Sequence, residues 1–216
     1  MTLDEFKEEF KFKYDAASKG APDMDDYEIS LMLTAAVKDV IALGVASYES
    51  NESSRRLLNN LLKYHNSVIT VDTTQELSFI VNSVSLPTET IAVLRETAKL
   101  LNCTDYPEVV ISSIDEVSNM LNNPFKRPTK RKVLRIEKDK VSFLVYSSAK
   151  LESYKITYVG KIKPIVISDL GYGLSIEGST KKTETELPSY IHSNIIDIAV
   201  DKAIRVTRSN SAGTKK

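Results

Sequence analysis

Few residues of this chain belong to the types that carry out nucleophilic, acid–base or metal chemistry. The histidines are His65 and His192, and the single cysteine is Cys103. None of the three has a companion at the spacing of a metal site or a catalytic dyad. We therefore interpret each histidine as a surface or helix-end residue, and Cys103 as a small apolar residue near a helix end. The sequence predicts no catalytic residue, no metal site and no cofactor.

Two other patterns imitate functional motifs. Gly171-Tyr172-Gly173 contains the first glycines of a dinucleotide fingerprint, but Gly178 is too distant and no helix is expected to follow, so a hairpin turn is the better interpretation. The carboxylate pairs Asp25-Asp26 and Asp115-Glu116 stand at predicted helix starts, where negative charge faces the positive end of the helix dipole. These patterns indicate local structure and do not indicate an active site.

One stretch carries enough charge to bind a partner. A basic segment follows Phe125, comprising Lys126, Arg127, Lys130, Arg131 and Lys132 and continuing to Arg135, Lys138 and Lys140. Such a cluster suits an acidic surface of a neighbouring subunit, DNA phosphates, or only solvent. Apart from Phe125 it lacks the interleaved aromatic residues of single-strand-binding modules. We therefore predict a protein interface at Lys126, Arg127, Lys130, Arg131, Lys132 and Arg135, with a solvated face as the alternative.

The N-terminal part of the chain has the apolar spacing of helices. Apolar residues recur every three or four positions over 2–18, which predicts an amphipathic helix ending at Gly20. Asp25 and Glu28 form the capping-box pattern of a second helix over 27–43, which is apolar on much of its circumference and so central. Further expected elements are helices over 54–64, 87–101 and 114–121, and ambiguous strand-like runs over 67–72 and 75–81.

The hydrophobic period changes after Pro124, which cannot continue a helix. Short β-rich runs follow at 132–136, 141–146, 154–159, 164–167 and 174–176 and predict a small antiparallel β module. Leu187-Pro188 then opens a last helix, whose apolar face needs cover and is expected to pack back on the N-terminal helices. The predicted fold is α+β and mainly a helical bundle: an N-terminal helical domain over 1–125, an inserted β module over 126–180, a C-terminal helix over 186–208 and a flexible tail over 209–216.

Length and charge place further bounds on the chain. Its 216 residues can bury a core without disulfides or metal, and its acidic start and short apolar runs predict neither a secretory signal nor a membrane span. Residues 1–125 hold ten basic and twenty acidic residues, net −10, whereas 126–216 hold nineteen and nine, net +10. Either opposite halves of neighbouring copies attract each other, or the two halves neutralise each other within one chain.

Four stretches, in the same order along the chain, resemble structural proteins of crAss-like tailed phages. They are residues 27–36 (YEISLMLTAA) after an aromatic and acidic helix, 115–128 (DEVSNMLNNPFKRP), 158–165 (YVGKIKPI) and 186–192 (ELPSYIH). The last is similar to the helix start that closes head-tail adaptor (connector) and tail-tubular proteins, although Ser189 and Tyr190 replace the usual acids. Residues 66–112 match no stretch of that family.

The resemblance implies a non-enzymatic virion protein that forms a ring below the portal, in about twelve copies if its symmetry follows the portal. The implied partners are further copies of the chain, the portal protein and other tail or ring proteins, with passing contact with genomic DNA and no membrane. The implied location is the head-tail junction or tail of the virion, after synthesis in the host cytoplasm. The alternative is a DNA-binding or packaging-associated virion protein that uses residues 126–140, which salt-sensitive DNA binding would favour.

Overall fold

The chain folds into two compact units. The computed structural model describes residues 1–18, 22–76, 79–139, 141–171 and 173–213, with side chains described except at 72–76 and 209–213. Unit 1 combines residues 1–61 with 162–216, and unit 2 is the continuous stretch 62–161. Unit 2 is therefore an insertion between the two parts of unit 1.

Helices and strands alternate in blocks along the chain. The helices are α1 (Leu3–Ser18), α2 (Asp26–Ala46), α3 (Glu52–Asn59), α4 (Val117–Asn122) and α5 (His192–Gly213), the last preceded by a 3-10 turn (Ser189–Ile191). The strands are β1 (Leu62–Asn66), β2 (Ile69–Glu76), β3 (Phe79–Ser85), β4 (Thr90–Leu100), β5 (Glu108–Ser112), β6 (Lys132–Asp139), β7 (Ser142–Ser147) and β8 (Leu151–Gly160). All described strands thus lie in unit 2.

Helix α2 is the central element of unit 1. Its start is fixed by the predicted capping box, in which the Asp25 carboxylate accepts from the Glu28 N–H and the Glu28 carboxylate accepts from the Asp25 N–H. By length and composition α2 would also suit a membrane span. Half of that apolar stretch is buried by the rest of the chain, so the length and composition of α2 are weak evidence for a membrane span.

The closing helix α5 packs against α1 and α2 within unit 1. Ile195, Ile196 and Ala199 are completely buried, so the apolar stripe of α5 is covered by the N-terminal helices. Polar contacts at the edge of this packing include an ion pair of 2.7 Å between Lys13 Nζ and Asp197 Oδ1. Burial of this stripe removes an apolar patch that would otherwise face water.

The chain re-enters unit 1 along an extended segment, residues 162–167, that is held by hydroxyl groups of α2. The Thr34 hydroxyl accepts from the Ile165 N–H at 3.1 Å and donates to the Ile165 carbonyl at 3.2 Å. The Ser30 hydroxyl accepts from the Ile167 N–H at 3.1 Å. Buried backbone groups need hydrogen-bond partners, and here helix side chains supply what a neighbouring strand usually provides.

Unit 2 packs a three-stranded sheet against a five-stranded sheet. The strand orders are β1-β8-β4 and β2-β3-β7-β6-β5, and every pair is antiparallel except β5 with β6. Inward-facing residues of both sheets, among them Tyr154 of β8 and Phe143 of β7, form one core. Leu121 of α4 packs with Leu134 in a second core on the other side of the five-stranded sheet. Alternation along β6 explains why Leu134 faces away from the first core.

A buried ion pair joins the two sheets of unit 2. Arg135 Nε on β6 lies 3.2 Å from Glu96 Oε1 on β4, and the two side chains are 10% and 7% exposed. The Arg135 guanidinium also lies 3.5 Å above the centre of the Phe143 ring, a cation–π contact. Burial raises the pKa of Glu96 and of the neighbouring Tyr154 hydroxyl, and the positive charge of Arg135 opposes both rises. Arg135 therefore belongs to the core.

The expectation of a mainly helical bundle is wrong. Helix makes up about 36% of the chain and strand about 31%, in sheets of three and five strands. Strands begin at residue 62, and the run 87–101, expected as a helix, contains the eleven-residue strand β4 paired with β8. The Ala, Leu, Arg, Glu and Lys residues of β4 favour helix locally, but long-range pairing and the burial of Ala98 and Leu100 outweigh that preference.

Smaller differences concern the ends of elements. The helix expected over 54–64 ends at Asn59, and the chain joins β1 from Leu62. The runs 164–167 and 174–176, expected as strands, form only isolated bridges, Val166 with Thr183 and Ile176 with Ser179. Helix α5 reaches Gly213, into the stretch expected as a tail, whereas 214–216 and Gly20, the expected end of the first helix, lie outside the described residues.

A double-mutant cycle tests the buried ion pair. Arg135→Met is expected to lower the free energy of unfolding by about 3 to 5 kcal/mol, because the Glu96 carboxylate is left buried without its partner. Glu96→Leu leaves the opposite charge unpaired and is expected to cost a similar amount. The double variant buries neither charge and is expected to recover most of the loss. Urea denaturation of the four proteins measures the coupling, and strictly additive losses would contradict it.

Truncation tests the role of the closing helix. A chain that ends at Thr185 loses α5 and exposes the apolar faces of α1 and α2, so we expect it to be insoluble. A chain that ends at Arg208 keeps all the residues of α5 that are described as buried and is the matched control. Soluble expression and thermal melting measure both. Solubility and an unchanged melting transition in the shorter chain would show that unit 1 does not need α5.

Candidate assembly interface

The predicted basic segment begins in a tightly turned loop between α4 and β6. The N–H groups of Lys126 and Arg127 both donate to the Asn123 carbonyl, at 3.0 and 2.9 Å. Thr129 and Lys132 exchange two backbone hydrogen bonds, at 2.8 and 3.2 Å. These bonds fix the backbone of the loop, so its side chains project from a defined support.

The structure leaves four cations of this basic loop, defined here as Lys126, Arg127, Lys130 and Arg131, exposed to solvent. Among the described residues, no carboxylate forms a salt bridge with any of the four. Lys132 differs from them, because it is half-buried and its Nζ donates to the Phe125 carbonyl at 3.0 Å. The basic loop is therefore a concentrated positive surface that the described part of the chain does not neutralise.

Exposed apolar side chains lie on the stretch that leads into this loop. The Phe125 side chain is 90% exposed, and those of Ile114 and Ile111 are 67% and 65% exposed. Aromatic residues and arginine are enriched in protein interfaces, whereas lysine is depleted. Phe125 and the two arginines of the loop fit the predicted interface, and its two lysines fit a solvated face.

The structure separates Arg135 from the other predicted interface residues. Arg135 is buried and points into the core of unit 2, where it pairs with Glu96. Alternation along β6 could not show this, because Leu134 and Ile136 mark the other face as apolar and only the structure shows that both faces are buried. Lys138 is exposed on the same strand, and Lys140 lies outside the described residues.

The histidines and the cysteine, whose residue types could take part in catalysis or metal binding, pack among ordinary structural residues. His192 is buried at the start of α5, its Nε2 lies 2.9 Å from the Leu187 carbonyl oxygen, and its ring packs 4.9 Å from that of Phe6. His65 is half-buried on β1, and Cys103 is half-buried just after β4, where we expected a helix end. Within the described ranges, no three His, Cys, Asp or Glu residues are grouped to hold a metal ion.

The glycine pair lies at a turn, but the described residues on either side form isolated bridges and not the two strands of the predicted hairpin. Gly173 has a φ of 76°, a conformation that glycine adopts without strain, and the Leu174 N–H donates to the Gly171 carbonyl at 3.1 Å. Tyr172, between the two glycines, lies outside the described residues. No helix start follows this turn within residues 173–187, as a dinucleotide site would require.

The fold redistributes the charges of the two sequence halves. Unit 1 holds 15 basic and 18 acidic residues, net −3, and unit 2 holds 14 and 11, net +3. The acids of residues 62–125 thus belong to the same unit as the basic loop. Opposite net charges persist on the two units, but they are much smaller than the values of −10 and +10 for the two halves.

Comparison with known proteins gives consistent matches over the whole chain. Residues 1–216 match the model of a family described as phage tail ring protein 3/4. The chain is 30% identical over 210 residues to Ring protein 3 of Bacteroides phage crAss001, covering 89% of this chain and 90% of that protein. It is 26% identical over 221 residues to Ring protein 4/5 of the same phage, covering 94% and 92%.

These matches confirm the resemblance carried by the four sequence stretches. They extend it to residues 66–112, which sequence inspection could not place. Both relatives are named as ring proteins. The chain therefore belongs to the phage tail ring protein 3/4 family and is a virion structural protein of a crAss-like phage.

Proposed function

We propose that copies of this chain form an adaptor ring at the head-tail junction, which joins the portal to the tail and surrounds the passing DNA. The observation that carries the proposal is the basic loop, a rigid positive surface that meets no carboxylate in the described part of a ring-family chain. The ring acts through contacts and not through catalysis. About twelve copies are expected if the ring follows the symmetry of the portal.

A ring of identical subunits needs complementary surfaces on each copy. The basic loop supplies a positive one, and unit 1, with its net charge of −3, is the source of a negative one on the next copy. Exposed carboxylates on α1 are Asp4, Glu5, Glu8 and Asp15. Charge complementarity of this kind sets the orientation and register of subunits more than it sets their affinity.

Replacing the basic loop tests this contact. A variant with serine at Lys126, Arg127, Lys130 and Arg131 is expected to assemble less well while its melting temperature stays the same, because these side chains make no salt bridge with described residues. Wild-type assembly should also weaken as salt rises through about 0.1 to 0.5 M, where screening becomes short-ranged.

The matched control removes the same number of exposed charges elsewhere, with serine at Arg95, Lys161, Lys181 and Arg205. Analytical ultracentrifugation compares the two variants. Normal assembly of the basic-loop variant, with the salt dependence of the wild type, would show that the loop is only a solvated face. Loss of salt-sensitive DNA binding in that variant, with assembly intact, would favour the DNA-binding alternative.

Adding the portal protein tests the position of the ring. The isolated chain is expected to be monomeric and to form rings when portal is present, because a template that binds the assembled form shifts the equilibrium towards it. Mass photometry and negative-stain imaging, with and without portal, measure this. A subunit that stays monomeric with portal across micromolar concentrations would contradict the adaptor proposal.

A further inference from the structure

The two sheets of unit 2 part at a fork. Strand β1 pairs with β8 from Leu62 to Asn66, and the Ser67 N–H makes one more bond, to the Tyr154 carbonyl at 2.9 Å. Beyond Ser67 the chain turns away as β2 and pairs with β3 instead. The remainder of β8, back to Leu151, pairs only with β4. Strands β2 and β8 therefore separate just beyond the hydrogen bond between Ser67 and Tyr154.

The edge of β2 carries backbone groups that point into the fork. Successive residues of a strand direct their N–H and C=O groups to opposite sides, so those of Ile69 and Val71 face the same side as the Ser67 N–H. On β8 the register against β4 shifts between Ser153 and Leu151, so Glu152 lies at a bulge and the same alternation does not extend to it. In the described ladders, no strand pairs with these edges. Unpaired edges of this kind are templates for an additional strand.

The fork holds a groove of about 760 Å³, within the size range of binding clefts. Ile69 and Leu151 contribute apolar surface to its lining. Ser67 also lines it, is only 9% exposed, and has no hydrogen-bond partner for its Oγ among the described residues. A buried hydroxyl without a partner is uncommon in proteins, and a chain bound in the groove would supply one.

The rim of the groove is positively charged. The charge of Lys99 is neutralised by a salt bridge to Glu152, with 3.0 Å between Nζ and Oε2. Lys150 and Lys155 also line the groove and are exposed, and neither forms a salt bridge with a described carboxylate. Apolar lining beside two cations that form no salt bridge with described carboxylates suits an extended segment that carries both apolar and acidic side chains.

We propose that the fork between β2 and β8 receives an extended acidic segment from a second copy of this chain, which pairs with the free edge of β2. This inference rests on the ring assembly proposed above, because each copy in a closed ring must offer a donor surface and a different acceptor surface. The fork is the acceptor. Because unit 1 is net −3 and unit 2 is net +3, charge favours unit 1 of the neighbour as the donor.

Photo-crosslinking identifies the occupant. Benzoylphenylalanine in place of Val71, in the full chain assembled with portal, is expected to crosslink two copies of the chain, and mass spectrometry of the product should locate an acidic peptide of unit 1. The control position is Ile91, exposed on β4, which should give at least tenfold less of this product. Crosslinks only to portal, only to another protein, or only within one chain would overturn the proposal.

Hydrogen exchange and a proline variant test the backbone pairing. The Val71 amide is expected to exchange at least tenfold more slowly in rings than in the monomer. Val71→Pro removes that N–H without removing a bond between β2 and β3, and should reduce ring formation at least tenfold, whereas Val71→Thr keeps the N–H and should assemble normally. Rings in which the Val71 amide exchanges as fast as in the monomer would contradict the proposal that the fork is occupied, but not the proposal of an adaptor ring. Failure of the wild type to form rings with portal would contradict both.

Discussion

The ion pair between Glu96 and Arg135 constrains how the two sheets of unit 2 face each other. Two charges can be buried between sheets only when each compensates the other, so Glu96 of β4 and Arg135 of β6 must lie opposite each other across the two sheets. The ring of Phe143 on β7 lies under the guanidinium and fixes the next strand against the same point. Because the basic loop leads directly into β6, this buried charge also determines where the exposed charges of the loop emerge.

At the other edge of each sheet, one continuous stretch of chain contributes a strand to both sheets. It pairs first as β1 with β8 and then as β2 with β3. The strand cannot pair with both partners along its whole length, so a fork opens and leaves backbone edges unpaired. In a ring protein such incomplete surfaces are useful, because a neighbouring subunit can complete the hydrogen bonding that a single chain leaves open.

Unit 1 is built from two stretches of chain that unit 2 separates, so contacts between these stretches must hold it together. The hydroxyls of Thr34 and Ser30 bind the returning backbone at Ile165 and Ile167, and α5 then covers α1 and α2. Both devices depend on the broad buried surface of α2. The capping box at Asp25, which fixes where α2 begins, therefore contributes to the placement of the returning chain as well.

The sequence by itself determined the helices of unit 1, the basic loop and the family. Capping pairs and apolar stripes act over three or four residues, so Asp25 with Glu28 and the stripe of α5 could be interpreted locally. Only the tertiary structure decided that residues 90–100 form a strand, because their partners on β8 are 51 to 70 residues away and outweigh their helical preference. For the same reason the sequence grouped Arg135 with Arg131, although one lies in the core and the other is exposed. The fork could not be predicted either, since it arises where β2 and β8 diverge, and a divergence between strands distant in sequence leaves no mark in the periodicity of either one.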